Sequence, residues 1–349
     1  MKDKIKWGVI GSGGIARRRT IPEGILPSTI AELSSVFDIN STINEAVASE
    51  FKASSAKSID TLLEADIDAV YIASPVDKHV EHVIASAKAK KHILCEKPLG
   101  LTVEQVKQMN AVCEQNGVLL AVGLMMRFHS QHQAALKFVQ EGKLGKIVYG
   151  RAQLSSWYPP IEGAWRQNPE NGGGGSLVDM GSHCIDLLEM FCGKVNSVNC
   201  FINNNVHAYK SEDSAVVSLV FENGAMGTVD SYFCIPDNSS KNMLELYGSR
   251  GSILARGTIG QAEAGEMIAY LESDDASYNA QQERSTVDGI GINPKPVNMY
   301  MAEIEEFSRA IFENRKPRNH GLIGLRNQKI LAACYESART GKTIEMDYN

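Results

Sequence analysis

Short apolar runs alternate with amphipathic segments over the first third of the chain. Most of these runs end at glycine, proline or aspartate, which predicts buried strands at 5–10, 31–37, 67–75, 91–98 and 118–123. The segments between them carry apolar residues at helical spacing, at 44–51, 58–65, 77–90 and 103–117. Buried strands that alternate with such helices predict a doubly wound α/β domain with a parallel sheet over residues 1–123.

The pattern changes from residue 124 onward. Segments with strand character lie at 146–157, 197–202, 214–235 and 241–257, with hairpin turns at Asn223-Gly224 and around Gly248 to Gly251. Amphipathic helices are expected at 176–192, 298–316 and 324–341, and a polar loop at 260–298. These elements predict a C-terminal α/β domain, residues 124–349, with an open, largely antiparallel or mixed sheet. Helices would cover one face, and the other face would join subunits in a homodimer or homotetramer.

Composition and charge narrow the range of functions. A chain of 349 residues, with 43% hydrophobic and 22% charged residues, is ordinary for a globular protein of two domains. The net charge of −6 argues against nucleic acid or an anionic membrane as a partner. Seven cysteines without a C-x-x-C pair argue against zinc ribbons and thioredoxin chemistry. The sequence shows no secretory signal and no apolar run of about 18 residues, so a cytoplasmic protein is expected.

A glycine-rich turn follows the first predicted strand. The motif GSGGIA comprises Gly11, Ser12, Gly13, Gly14, Ile15 and Ala16 and fits G-x-G-x-x-A, which indicates dinucleotide binding. Gly11 permits the tight turn, Gly13 lets a pyrophosphate approach the backbone, and Ala16 lets the next helix pack closely. Asp38 ends the second strand, where a carboxylate binds the adenosine ribose and repels a 2′-phosphate. NAD is therefore expected rather than NADP, with an ordinary tight turn and a solvated aspartate as the alternatives.

Two further segments carry candidate catalytic groups. Lys97, in CEKPLG, lies at the carboxyl end of a predicted strand, where ligands of open α/β sheets bind, and Pro98 restricts its backbone. Asp179 and His183 follow the glycine run 172–175 and are four residues apart, so a helix would place them on one face. Spacing alone leaves two alternatives open, a surface lysine before a turn and a solvated Asp–His pair.

The order of several motifs resembles the Gfo/Idh/MocA oxidoreductases (glucose–fructose oxidoreductase, inositol dehydrogenase and rhizopine catabolism). These motifs are GSGGIA, ASPVDKH (73–79), CEKPLG, GLMMRF (123–128), WRQNPENGGGGSLVDMGSH (165–183) and EDSAVVSLVFENGAMGTVD (212–230). The resemblance implies a Rossmann domain followed by an α/β domain whose open sheet forms oligomer interfaces. The catalytic residues it implies are Lys97, Asp179 and His183. Cofactor contacts are expected from Ser74, Pro75, His79, Glu96 and Lys97, and substrate contacts from Arg127, Trp165, Arg166, Asp179 and His183.

The resulting hypothesis is an NAD-dependent dehydrogenase acting on a secondary hydroxyl of a cyclic polyol, sugar or sugar derivative. His183, with an ordinary pKa near 6.5, would accept the hydroxyl proton while the neighbouring C–H passes its hydride to NAD. Lys97 would stabilise the developing charge on the oxygen, and Asp179 would hold the substrate or tune the imidazole. Glycines 172–175 would let the backbone approach nicotinamide and substrate.

Two other functions stay open at this stage. One is a glycosidase that uses tightly held NAD for redox elimination, and the other is a sugar- or cofactor-sensing regulator without turnover. Among the remaining side chains, the arginine run 17–19 is interpreted as a solvated face. Trp157 and Tyr158 could stack on a sugar ring or pack at an interface. His129 and His132 lack a third ligand in sequence, so no metal site is expected.

Overall fold

The N-terminal sheet is parallel and doubly wound. The computed structural model describes residues 3–272, 280 and 288–348. The N-terminal strands are β1 (Ile5–Ile10), β2 (Ala31–Phe37), β3 (Ser54–Ser55), β4 (Ala69–Ile72), β5 (His92–Glu96) and β6 (Leu120–Gly123). Their order in the sheet is β3-β2-β1-β4-β5-β6, with every neighbouring pair parallel. The order reverses at β1 and β4, which is where open α/β sheets bind their ligands.

Helices connect these strands on both faces of the sheet. They are a π-helical segment (Ala16–Ile25), α1 (Ser41–Phe51), α2 (Ile59–Glu64), α3 (Val76–Lys88) and α4 (Val103–Asn116). Side-chain caps begin several of them: Ser58 accepts from Thr61 N, and Thr102 accepts from Gln105 N. Gly117 ends α4 in the left-handed conformation. The predicted doubly wound α/β plan is confirmed.

The C-terminal sheet is mixed. Its strands are β7 (Ile147–Ser155), β8 (Val195–Asn203), β9 (Ser214–Phe221), β10 (Met226–Tyr232), β11 (Met243–Gly248), β12 (Gly251–Arg256), β13 (Glu266–Leu271), β14 (Ile290–Gly291) and β15 (Ile344–Glu345). They run in the order β14-β13-β12-β11-β7-β10-β9-β8-β15. Among the described strands of this sheet, only β7 and β10 pair in parallel. The predicted open, mixed sheet is confirmed.

Helices pack against one face of this sheet. A π-helical segment (Leu177–Gly181), α7 (Ser182–Cys192) and α9 (Gly321–Thr340) make these contacts. The other helices of this half are α5 (Ser130–Gln140), α6 (Pro169–Gly172) and α8 (Met299–Phe312). The π-helical segment continues directly into α7, so the predicted helix 176–192 changes its winding at Ser182. Leu187 and Leu188 of α7 are fully buried in the core of this half.

Two predicted details differ from the structure. The polar loop expected at 260–298 is wrong in part, because β13 and β14 lie inside it. β13 has the sequence EMIAYL and buries Met267 and Ala269, a short apolar run within an otherwise polar segment. Residues 273–279 and 281–287 of that segment lie outside the described residues. Helix α5 has no counterpart among the predicted elements.

The two halves of the chain share a core. Phe307 of α8 packs its ring on Trp7 of β1, with centroids 5.6 Å apart, and Ile304 is buried in the same cluster. Asn319 extends the contact, since Val122 N of β6 donates to Asn319 O at 2.9 Å. The chain thus leaves the N-terminal sheet after Gly123 and returns to cover it with α8. This return fixes the relative position of the two sheets.

The second face of the C-terminal sheet exposes apolar side chains. Phe201 is paired with Val216, and Val220 with Met226, across neighbouring strands of that face. Phe201 is 71% exposed and Met226 is 55% exposed. An exposed apolar face of this kind favours association, and the homodimer or homotetramer through the sheet stays a prediction. Within the described residues no helix is long and apolar enough to span a membrane.

Candidate active site

A cavity of about 670 Å³ lies between the carboxyl ends of the N-terminal strands and the C-terminal sheet. It brings together residues from distant parts of the sequence. The site residues predicted from the sequence that line this cavity are Gly14, Ile15, Ser74, His79, Glu96, Lys97, Trp165, Arg166, Asp179 and His183. This is the place where a doubly wound sheet binds its ligand.

The glycine-rich turn borders the cavity through Gly14 and Ile15. Gly11 N and Ser12 N both donate to Phe37 O, which ties the turn to the end of β2. Gly11 has φ +80°, and a Cβ there would lie 2.5 Å from Ser74 N, so only glycine fits. Asp38 reaches back over the turn and accepts from Gly13 N at 3.0 Å. The carboxylate expected at the ribose is therefore adjacent to the glycine-rich turn.

This turn fits a dinucleotide. The Ser12 hydroxyl is fully buried and has no hydrogen-bond partner among the described residues, so it is available to a phosphate oxygen. A Cβ on Gly14 would meet no atom within 4 Å, which leaves space beside the backbone at the cavity. Ile15 is the N-cap of the π-helical segment, and Ala16 is its first residue. Both observations agree with a pyrophosphate held at a helix N-terminus.

His79 joins two loops that border the cavity. Its ring nitrogens lie 2.9 Å from Ser74 O and 3.1 Å from Pro98 O. Burial lowers the pKa of His79 to about 4, so its imidazole is neutral at pH 7 and donates to one of the two carbonyls. Pro75 stands at the start of α3, one residue before the helix. His79 therefore holds the E-K-P segment against the end of β4.

Glu96 is held in place by Tyr71. The Tyr71 hydroxyl donates to Glu96 Oε1 at 2.5 Å, and Lys97 N donates to Oε2 at 3.2 Å. Burial raises the pKa of the Glu96 carboxyl, although the bond from Tyr71 works in the opposite direction. The side chains of Glu96 and Lys97 thus have separate partners, as expected for neighbours in an extended segment.

Lys97 and Asp179 meet across the cavity. Lys97 Nζ is 2.7 Å from Asp179 Oδ1 and also donates to the backbone carbonyl of Asp179. Arg166 Nε contacts the same carboxylate oxygen at 3.0 Å, and its guanidinium lies over the Trp165 ring at 4.2 Å. Burial alone would raise the pKa of Asp179, but the charges of Arg166 and Lys97 hold it well below its usual range. Asp179 is an ionised anchor for two cations.

His183 faces the same cavity in a buried position. Its side chain is 5% exposed, and Nδ1 has no hydrogen-bond partner among the described residues. Burial, followed by the charge of Lys97, lowers the pKa of His183 to about 3. The pKa therefore lies below the ordinary value near 6.5, and the imidazole is neutral at pH 7. A neutral imidazole is the form that can accept a proton.

The glycine run has a different cause from the one expected. Gly172 packs on the backbone of Trp165 and Arg166, Gly174 on the Tyr335 side chain, and Gly175 on the Glu212 backbone. Glycines 172–175 are absent from the cavity lining, so an approach to cofactor and substrate is not the reason for them. They let the chain pack closely against other parts of the protein just before the helix that carries Asp179 and His183.

Arg127 binds a carboxylate of α7. Its Nε lies 2.8 Å and 2.7 Å from the two oxygens of Asp186, on α7, and its side chain is 12% exposed. It does not line the cavity, so the predicted substrate contact is not supported. Arg127 instead fixes α7 one turn beyond His183. Trp157 also stays outside the lining, packed edge-on against His207.

Family models match both halves of the chain. An oxidoreductase-family model with an NAD-binding Rossmann fold matches residues 5–124, and a Gfo/Idh/MocA C-terminal domain model matches residues 132–254. The chain belongs to the Gfo/Idh/MocA oxidoreductase family. Its assignment to the NAD(P)-dependent oxidoreductases is confirmed, since this family's relatives are named as dehydrogenases and reductases.

Relatives extend along the whole chain. The 1,5-anhydro-D-fructose reductase of Ensifer adhaerens is 26% identical over 98% of both chains. An aldose-aldose oxidoreductase structure from Caulobacter crescentus matches with a TM-score of 0.87 and 23% identity, covering 98% of this chain and 100% of that chain. A levoglucosan dehydrogenase in complex with NADH and levoglucosan matches with a TM-score of 0.84 and 22% identity, covering 98% and 99% of the two chains. Both structures show the same fold.

The Gfo/Idh/MocA motifs did not point to every cavity residue. Sequence reasoning missed Asp237, Asn242, Gln261 and Tyr300, which also line the cavity. Asp237 begins a short 3-10 helix, Tyr300 lies at the start of α8, and Asn242 and Gln261 lie outside helices and strands. No local pattern distinguishes the four from solvated polar residues. Tyr158, noted as an aromatic candidate, does line the cavity.

Among the described residues no group of three or more potential metal ligands occurs. His129 and His132 are buried together, with ring centroids 4.7 Å apart.

Proposed function

We propose that the protein is an NAD-dependent dehydrogenase that oxidises a secondary hydroxyl of a cyclic polyol, sugar or sugar derivative. The observation that carries this proposal is the meeting of Lys97 and His183 in one cavity beside the glycine-rich turn. The relatives named for 1,5-anhydro-D-fructose and levoglucosan support a cyclic, polyhydroxylated substrate.

The reaction assigns a separate task to each side chain. The Lys97 ammonium, oriented by Asp179, donates a hydrogen bond to the substrate oxygen and stabilises its developing negative charge. His183 accepts the hydroxyl proton, because it is neutral and lies in the same cavity. Bound nicotinamide supplies the hydride acceptor. Arg166 and Trp165 form a stacked wall on the substrate side, and Asp179 balances the charges of Lys97 and Arg166.

A substrate panel tests the reaction class. Inositols, aldoses, anhydrosugars, glycosides and nucleotide sugars are each incubated with the protein and NAD while the absorbance of reduced nicotinamide is followed. We expect at least one cyclic polyol or sugar to reduce NAD, and the Lys97→Met variant to abolish that signal. Release of aglycone from a glycoside without net reduction of NAD would contradict the proposal.

The second element of the proposal is a preference for NAD over NADP. Asp38 lies over the glycine turn through its bond to Gly13 N, where its negative charge opposes a 2′-phosphate. We expect Asp38→Asn to lower kcat/KM with NAD by about 10-fold, since a hydrogen bond to a charged group is worth roughly 1.5–3 kcal/mol. The ratio of kcat/KM for NADP over NAD should rise. Steady-state kinetics with both cofactors measures the ratio, and the exposed Asp60→Asn on α2 should leave it unchanged.

A further inference from the structure

Glu212 binds the N-terminus of the catalytic helix. It stands two residues before β9, and its buried carboxylate accepts from Gly175 N at 2.9 Å and from Leu177 N at 3.0 Å. Its backbone carbonyl accepts from Ser176 N at 3.0 Å. One residue therefore binds three consecutive N–H groups that the helix itself cannot satisfy. A carboxylate at this position also agrees with the helix dipole.

Tyr335 holds Glu212 from the other side. Its hydroxyl, on α9, donates to Glu212 Oε1 at 2.9 Å. Gly174 has φ +157°, and a Cβ at this position would overlap the Tyr335 hydroxyl. A Cβ on Gly175 would overlap the carbonyl of Glu212. The glycine run, Glu212 and Tyr335 thus fit together with no space for another side chain.

The residues that Glu212 binds lie at the start of the helix that carries Asp179 and His183. Asp179 N donates to Gly175 O at 3.0 Å, so the turn that Glu212 fixes is the turn that carries Asp179. His183 lies one turn further along the same continuous helix. Lys97 belongs to the other sheet and makes no contact with Glu212 or Tyr335 among its described bonds. A displacement of residues 175–177 would therefore move Asp179 and His183 relative to Lys97.

We infer that Glu212, supported by Tyr335, is a positioning residue that sets the distance between Lys97 and the Asp179–His183 pair. This inference rests on the proposed dehydrogenase function. Glu212 does not line the cavity, so it acts through the helix and touches neither substrate nor cofactor. Because the cofactor turn belongs to the other half of the chain, the affinity for cofactor is independent of Glu212.

The test compares three variants with a matched control. We expect Glu212→Ala to lower kcat by about 10²-fold, since a displacement of about 1 Å costs this much in an oriented site. Glu212→Gln, which keeps one acceptor oxygen, and Tyr335→Phe should lose less, about 3- to 10-fold. The primary deuterium isotope effect on kcat, measured with the panel substrate of highest turnover, should rise in each variant. The dissociation constant for NADH, measured by fluorescence titration, should change less than 2-fold.

The control removes similar bonds from the same helix. Ser337, two residues from Tyr335, accepts from Cys200 N at 3.0 Å and donates to Lys342 O at 2.6 Å. Ser337→Ala should lower the melting temperature about as much as Tyr335→Phe and leave kcat and the isotope effect unchanged. Equal losses of kcat in Ser337→Ala and Tyr335→Phe would overturn the inference, because general destabilisation would then account for both.

Hydrogen exchange separates this inference from the proposed function. Glu212→Gln should accelerate exchange of the amides of residues 175–179, whatever reaction the protein catalyses. Unchanged exchange in this segment would overturn the positioning role. The role would also be overturned if Glu212→Gln had the kcat of the unmodified protein while His183→Ala was inactive. Accelerated exchange with a His183→Ala variant of full activity would instead contradict the proposed function alone.

Discussion

The His183→Ala variant is expected to lose about 10²–10⁴-fold in kcat for polyol oxidation, the usual loss when a general base is removed. The imidazole lines the cavity that also receives Lys97, and its Nδ1 has no partner among the described residues that would assign it a structural role. Its loss should leave NADH affinity almost unchanged, because the cofactor turn is untouched. Steady-state kinetics with the panel substrate and NADH titration measure the two effects.

The pH profile gives the same prediction a second readout. Because the pKa of His183 is lowered to about 3, protonation inactivates the base only as the pH falls towards that value. Activity should therefore show no loss centred at pH 6.5, where an unperturbed histidine would titrate. His92→Asn, at a half-buried histidine that accepts from Leu119 N away from the cavity, is the control and should retain kcat. An acid limb near pH 6.5 that disappears in His183→Ala would contradict the assigned pKa.

The sequence predicted the parts of the site that depend on local pattern. Strand β1, the turn at Gly11 and the strand end at Asp38 follow from hydrophobic runs and the steric needs of glycine, and these signals are local. Lys97 could be placed because the carboxyl ends of parallel strands share one edge of the sheet. The same rule could not place Asp179 beside Lys97, since that contact joins residues 82 positions apart. The motif resemblance supplied that pairing.

Other features depend on packing that no local pattern records. The glycine run suggested a ligand, yet the atoms that exclude a Cβ at Gly174 and Gly175 belong to Tyr335 and Glu212. Arg127 was expected at the substrate, but it pairs with the buried Asp186 and is absent from the cavity lining. The lowered pKa of His183 has a related cause, because burial is a property of the folded chain. The sequence shows which reactive side chains the protein has. Packing in the folded chain determines which of them are paired with other residues and which face the cavity.

The Asp179→Ala variant is expected to lose both stability and activity. Lys97 and Arg166 contact the same carboxylate oxygen, with side chains 11% and 33% exposed, so removal of Asp179 leaves two cations facing each other with little solvent. Breaking a buried pair in this way costs about 3 kcal/mol in the free energy of unfolding. Turnover should fall by about 10²-fold or more, because Lys97 loses the partner that directs its ammonium. Urea unfolding and steady-state kinetics measure the two losses.

A double-mutant cycle shows whether charge is the cause. If the loss of stability in Asp179→Ala comes from the unbalanced cations, then Lys97→Met in the same chain should recover part of it, and the two changes should be less than additive. Additive losses would mean that Asp179 stabilises the helix by another route. The Asp230–Arg151 pair, 3.3 Å apart in the C-terminal sheet, provides the matched control. Asp230→Ala should lower the free energy of unfolding by a smaller amount and leave kcat unchanged, since neither residue lines the cavity.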